Sequence, residues 1–311
     1  MPRSEIIVGH FDGALFTWQA EYVKKILSKC MKERIYTQPL ALADRADAMK
    51  IAPHMFTAAG VSFELPARVI HDHIVEGIVD CAALPLEILP LELPFPLALA
   101  GVVGRGSGRE AFLSRSGEGF RSIAPGSRVG VYAKRQRTQA SLMRSDLVYT
   151  PVSPDIGMLI GIEGMRSVDA VFYPETDVRR MSYDRSITEI ISMDAMLPAL
   201  RDGIAVVAHR ENRAVLDAIA GVIDAASQRI YAIEDAFLRD FNPVYDAPFA
   251  GCITITGSEI RFALRAVDED TLRAFDDEYR IHEPFDAHAF GRDCASRFER
   301  KGGRSPLSKH R

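Results

Sequence analysis

Ile6-Ile7-Val8-Gly9, followed by the run Thr17-Trp18-Gln19-Ala20-Glu21-Tyr22-Val23-Lys24-Lys25-Ile26-Leu27-Ser28-Lys29-Cys30 and then by residues 34–42, decides the fold class. The first piece is a short apolar strand ending at a glycine. In the second, Trp18, Tyr22, Val23, Ile26, Leu27 and Cys30 recur at intervals of three and four, which puts them on one face of a helix. Residues 34–42 resume an extended pattern, so the chain opens as strand, helix, strand. Working outward, a second amphipathic helix is predicted over 67–76, with Val69, Ile70, Ile74 and Val75 inward, and a buried strand over 78–83. Pro125-Gly126 punctuates the chain, and a fresh strand-helix-strand pattern begins at Arg128-Val129-Gly130-Val131-Tyr132. Strands over 147–150 and 168–173 flank a helix near 155–166, and 204–208 is a further apolar strand.

After Glu211 the pattern changes. One long helix is expected over 214–239, then a hairpin of Cys252-Ile253-Thr254-Ile255-Thr256 with 260–267 around Gly257, then a helix near 268–279. The expected class is α/β: two α/β lobes plus a small α+β C-terminal domain. Domain 1 is read as 1–103 and 200–221, domain 2 as 104–199, domain 3 as 222–300, with a basic flexible tail over 301–311. Such an architecture implies a hinged protein that holds a small molecule in the cleft between its lobes, and a monomer is expected.

Composition narrows the function classes. With 47% hydrophobic and 26% charged residues the chain reads as soluble and globular, and its net charge of −4 leaves no basic field for nucleic acid. Cys30, Cys81, Cys252 and Cys294 are far apart with no CxxC pair, which argues against a zinc site or a disulfide framework and suits a reducing, cytoplasmic compartment. The apolar stretch 81–103 is no membrane span, because Pro85, Pro90, Pro94 and Pro96 deny it helical hydrogen bonds and Glu87 and Glu92 would sit in hydrocarbon. His71 and His73, two apart on a helix, point away from each other and form no metal pair. Gly104-Arg105-Gly106-Ser107-Gly108 lacks the Lys-Ser/Thr ending of a phosphate loop and reads as a hinge.

Beyond this pattern, the residues resemble the porphobilinogen deaminase (hydroxymethylbilane synthase) family over nearly the whole chain. Ile6 to Gly9 followed by Leu15, Trp18 and Gln19 resembles the family's opening strand and Trp-Gln helix. Val79-Asp80-Cys81-Ala82 with Leu86, Pro90 and Glu92-Leu93-Pro94 is similar in spacing to its catalytic loop, and Arg109-Glu110-Ala111-Phe112-Leu113-Ser114 to its entry into the second domain. Arg128-Val129-Gly130, Arg135, Gln139, Asp169-Ala170, Arg180, Arg185-Ser186-Ile187-Thr188 and Met196-Leu197-Pro198-Ala199 follow in order. Glu234, Ala236-Phe237-Leu238-Arg239 and Pro248 match the helix and loop that carry the cofactor. The resemblance implies a three-domain fold whose first two domains are periplasmic-binding-protein-like. It also implies a place in haem and tetrapyrrole biosynthesis, joining porphobilinogen units on a dipyrromethane primer held as a thioether to a cysteine.

By that resemblance the site positions are substituted. The cysteine position is Tyr245, and a phenol with a pKa of about 10 is a poor nucleophile at neutral pH. The glycines before it are Asn242, Pro243 and Val244. The catalytic aspartate position is Ile88, and the lysine and serine expected beside it are Glu87 and Pro85. Arg135 and Arg180 stand at substrate-binding arginine positions, whereas Phe11, Gln136, Ser153 and Leu159 occupy the others and Asp202 replaces a glutamine. The two arginines read equally well as carboxylate clamps or as salt-bridge partners, and Cys252 as a core thiol or a substitute anchor. The expectation is a family member without normal deaminase activity and without bound dipyrromethane. An active synthase with an unorthodox anchor and a non-catalytic small-molecule binder remain as alternatives.

Overall fold

The computed structural model describes residues 5–40, 64–152, 167–243 and 247–310. The helix expected near 155–166 lies outside them, as do Tyr245, Ser153 and Leu159. β1 (Glu5–His10), α1 (Ala14–Cys30) and β2 (Arg34–Pro39) open the chain. α2 (Glu64–Val75), β3 (Cys81–Pro85), a 3-10 turn at Leu86–Ile88 and β4 (Leu97–Val103) follow. Next come β5 (Glu110–Ser114), β6 (Arg128–Val131), α3 (Lys134–Met143), β7 (Val148–Pro151), β8 (Ala170–Pro174), α4 (Glu175–Arg180) and β9 (Glu189–Ile191). β10 (Ile204–His209) leads into α5 (Arg213–Ala220) and α6 (Ala225–Phe241). β11 (Phe249–Thr256), β12 (Glu259–Val267), β13 (Ala274–His282), α7 (Ala287–Arg300) and a 3-10 segment at Ser305–His310 complete it.

The described residues fall into two compact units, the first holding 5–40, 64–105 and 201–228, the second the rest. In the first unit the five strands run β2-β1-β3-β10-β4. β1 pairs in parallel with β2 and β3, while β10 runs antiparallel between β3 and β4. Ile6, Val8, Cys81, Ala83, Val206 and Ala208 on the sheet pack against Ala20, Val23 and Leu27 of α1 and Val215 and Ile219 of α5. The near-continuous apolar runs of β3 and β10 reflect burial on both faces.

The second unit holds a sheet of the same design, β7-β6-β8-β5-β9, with β6 parallel to β7 and β8 and β5 antiparallel between β8 and β9. Thus β5 and β10 are the strands set antiparallel beside a parallel trio, one in each lobe. The second unit also contains the three-stranded antiparallel sheet β11-β12-β13. Its inner face meets α6 and α7 through an aromatic core in which Phe237, Phe241, Phe249, Phe262 and Phe298 stack or meet edge to face.

Three local expectations differ from the structure. The single helix over 214–239 is two, α5 and α6, because the chain stops at Gly221 and Asp224 starts a new helix by accepting the Ser227 N–H and hydroxyl at 2.8 and 2.7 Å. The helix near 268–279 is instead a turn followed by β13. Phe275 and Tyr279 lie four apart, which mimics a helix face, but Phe275, Asp277, Tyr279 and Ile281 alternate inward against β12. The tail expected over 301–311 follows α7, which buries Phe290, Cys294 and Phe298 and is capped by Asp286 accepting from the Ala289 N–H, and it is packed rather than loose. Beyond it Leu307 is buried, and Arg304 donates to the Phe241 carbonyl and lies over the Phe241 ring.

Candidate functional site

In a sheet with parallel strands, ligands collect beyond the carboxyl ends of those strands. In the first unit β1, β2 and β3 end at His10, Pro39 and Pro85, and the residues just past them are Phe11, Leu40 and Leu86. All three are buried, at 1%, 2% and 1% exposure, and Phe11 meets Phe16 edge to face at 5.8 Å. Pro85 turns the chain into the 3-10 segment, which places Leu86, Ile88 and Leu89 inward and Glu87 outward. Ile88 is therefore a packed apolar side chain, and Glu87 points away from it into solvent. Arg201, itself buried and in the left-handed region at φ 64°, donates from Nη1 to the Leu89 carbonyl at 2.5 Å and from Nη2 to that of Pro90. Its guanidinium holds the turn down by its backbone carbonyls.

In the second unit β6, β7 and β8 end at Val131, Pro151 and Pro174, and β5 begins beside them at Glu110. Arg135 is buried there and gives Nη1 to Glu110 Oε1 at 2.7 Å and Nη2 to the Tyr132 hydroxyl at 3.0 Å. Gln136 donates to the other Glu110 oxygen at 2.9 Å and accepts the Tyr132 N–H, and Tyr132 stacks on Tyr173. Arg180 pairs with Asp177 at 3.1 Å on its own helix. These arginines read equally well as clamps or as salt-bridge partners, and both stand in ion pairs with carboxylates of this chain. Glu175, at the start of α4, is buried and accepts from Ser107, Arg109 and Arg179. Burial pushes its carboxyl up, but the Arg179 and Ser107 hydrogen bonds and the Arg109 charge outweigh it, holding the pKa below the ordinary carboxylate value.

A dipyrromethane group needs a thiol for its thioether, so the donor set can be tested directly. Cys81 and Cys294 are buried, and desolvation pushes both thiols up, Cys294 to about 12. Cys30 is exposed at the last residue of α1. Cys252 lies within β11, its sulfur 3.5 Å from Met193 Sδ and packed on Leu197, Ala250 and Ala263. All four sit in helices or strands, none on the segment that leaves α6 through Asn242, which holds φ 42°. The described thiols do not fit thioether attachment at that loop. Among the described residues no group of three or more His, Cys, Asp or Glu is placed to hold a metal ion, and no helix is long and apolar enough to cross a membrane.

Several residues in this part of the second unit were not read as site residues from the sequence. Glu110 and Glu175 are buried acids whose importance comes from partners far along the chain; the one local signal was a glutamate opening the apolar run Ala111-Phe112-Leu113. Gln139, fully buried, bonds the Leu197 backbone with both ends of its amide, at 2.9 and 2.8 Å.

The family model described as porphobilinogen deaminase, dipyromethane cofactor binding domain, matches residues 6–218. A porphobilinogen deaminase from Pelobacter propionicus is 26% identical over 311 residues, covering 99% of this chain and 97% of that protein. One from Chlorobaculum tepidum is 26% identical with 94% of each covered, and one from Paenibacillus macerans is 30% identical over 58% of this chain and 56% of its own. Among solved structures, the methionine binding protein MetQ aligns with a TM-score of 0.41 at 10% identity, covering 74% of this chain and 95% of that one. With the match spanning both α/β lobes, and with relatives aligned nearly end to end, the chain belongs to the porphobilinogen deaminase family.

Proposed function

We propose that this chain is a porphobilinogen deaminase family protein without normal deaminase turnover, acting beside tetrapyrrole synthesis rather than catalysing its bilane-forming step. The observation that carries the reading is Ile88: the position that resembles the family's catalytic aspartate holds a hydrocarbon side chain buried in the turn beyond β3. That chemistry needs a carboxylate to stabilise a cationic pyrrole and move its proton, and the neighbouring Glu87 faces outward. Two further observations support it. The arginines at clamp positions, Arg135 and Arg180, are paired with Glu110 and Asp177, and the described thiols are unsuited to hold the dipyrromethane. Absence of that primer belongs to the same proposal, with Tyr245 at its attachment position. Four free cysteines suit a reducing, cytoplasmic setting.

The test is the intact mass of the purified protein before and after incubation with porphobilinogen, with bilane formation followed in the same sample. An unmodified mass throughout and no bilane are expected. A mass increment matching a covalent dipyrromethane, or turnover that survives dialysis, overturns the reading, and peptide mapping then distinguishes Tyr245 from Cys252 as the anchor.

A further inference from the structure

α3 is a helix that its own sequence does little to support. It opens Lys134-Arg135-Gln136-Arg137, three cations in four residues at the end where the helix dipole already presents positive charge. Ala133 at the N-cap supplies no side-chain acceptor, and the first turn contains no acid. The compensating charge comes from distant parts of the same unit. Glu110 on β5 takes Arg135 and Gln136. Glu269, in the turn between β12 and β13, takes the other two: Oε1 accepts from Arg137 Nη2 at 2.6 Å, and Oε2 lies 3.5 Å from Lys134 Nζ.

The turn that carries Glu269 is itself braced. The Asp268 carboxylate accepts the N–H groups of Asp270 and Thr271, and Leu272 closes the turn in the left-handed region at φ 53°. Glu269 is 13% exposed, where an acid at the tip of an acidic Asp268-Glu269-Asp270 turn would ordinarily be solvated. A second tie runs parallel to it, Arg265 of β12 donating to Gln139 Oε1 of α3 at 3.2 Å and to the Ala195 carbonyl.

We infer that Glu269 is a built-in carboxylate that occupies the basic end of α3, clasping the β11-β12-β13 sheet to the second lobe and competing there with external anions. Lys134 and Arg137 stay 37% and 43% exposed, so a carboxylate ligand meets them in competition with Glu269. The clasp joins two parts of one chain, so it is independent of whether the deaminase chemistry survives.

Glu269→Gln removes the charge while keeping the shape. Citrate and sulfate serve as probes, each compared with sodium chloride at matched ionic strength, with thermal unfolding and calorimetric titration as readouts. The variant should unfold at lower temperature than the wild type in chloride. It should then regain stability saturably with citrate, with citrate affinity raised about tenfold or more. Wild-type protein should respond to citrate no more than to chloride. Hydrogen exchange of 266–274 should rise in the variant and fall again with citrate. Saturable citrate binding of equal strength in both proteins, or a folded variant that gains none, overturns the inference. Should Glu269→Gln fail to fold, Arg137→Gln supplies the second arm: near-normal exchange of 266–274 in that variant overturns the clasp, and its release sustains it.

Discussion

The carboxyl-end edges of the two five-stranded sheets share one topology and have opposite chemistry. Past β3 the chain runs Pro85-Leu86-Glu87-Ile88, and past β8 it runs Pro174-Glu175-Thr176-Asp177, each proline capping a short helical turn with nearly the same backbone angles. The first turn buries Leu86 and Ile88, and Phe11 and Leu40 are buried past β1 and β2. The second buries Glu175 and sets it among Ser107, Arg109 and Arg179. The same backbone therefore supports a hydrocarbon plug in one lobe and a network of paired charges in the other. Topology decides where a site is placed, and the side chains past each strand end decide whether it has any chemistry.

The comparison predicts different sensitivities, and each can be broken by measurement. The largest expected effect is at Glu110: Glu110→Ala leaves the buried Arg135 without its carboxylate and should cost about 3–5 kcal/mol in urea denaturation. A loss below about 1 kcal/mol would mean that the second edge is solvated rather than closed. Next, Ile88→Asp places a carboxylate in the packed turn of the first edge. It should destabilise the fold by about 3 kcal/mol without restoring bilane formation. A stable, active Ile88→Asp protein would show the first edge to be an open site missing one group.

Acid separates the two units. Glu175, Asp277, Glu278 and Asp286 of the second unit all titrate below their ordinary values. A depressed carboxylate contributes stability above its unfolded pKa and loses it as pH falls through the folded one, so loss should begin below about pH 4.3. The first unit has fewer such groups among the described residues, Glu21 and Asp224. Trp18, the one tryptophan, sits on α1 of the first unit, so ellipticity should fall at higher pH than its fluorescence changes. Coincident transitions would contradict the separation.

Smaller effects sharpen the picture. Asn212 caps α5 by accepting the Val215 N–H at 3.3 Å, whereas α3 has no side-chain cap. Asn212→Ala should cost about 1 kcal/mol by denaturant midpoint. The exposed Arg213–Asp217 pair is a control, and Arg213→Ala should change stability by less than about 0.5 kcal/mol.

Much of the fold was legible because its signals are local. β1, α1, β2, α2 and the β11–β12 hairpin carry a period or a turn within a few residues, and an expected strand overlaps each of β3, β6, β8 and β10. The signals failed where two periods coincide, as at Phe275 and Tyr279, or where a cap three residues past a glycine restarts a helix, as at Asp224. At the candidate site the residue types were readable. The partner of Arg135 was not, because Glu110 lies 25 residues away and nothing in either segment marks the pairing, whereas Asp177, the partner of Arg180, is three residues off on the same helix.

By itself the sequence determined the class of the protein, two α/β lobes with an α+β addition, and its family. Tertiary structure alone decided what the remaining charged groups do. An ion pair is a matter of a few ångströms in space, and chain order does not encode that distance. Only the packed sheets show that Arg135 meets Glu110, that Glu269 reaches Lys134 and Arg137, and that Cys252 is packed against Met193.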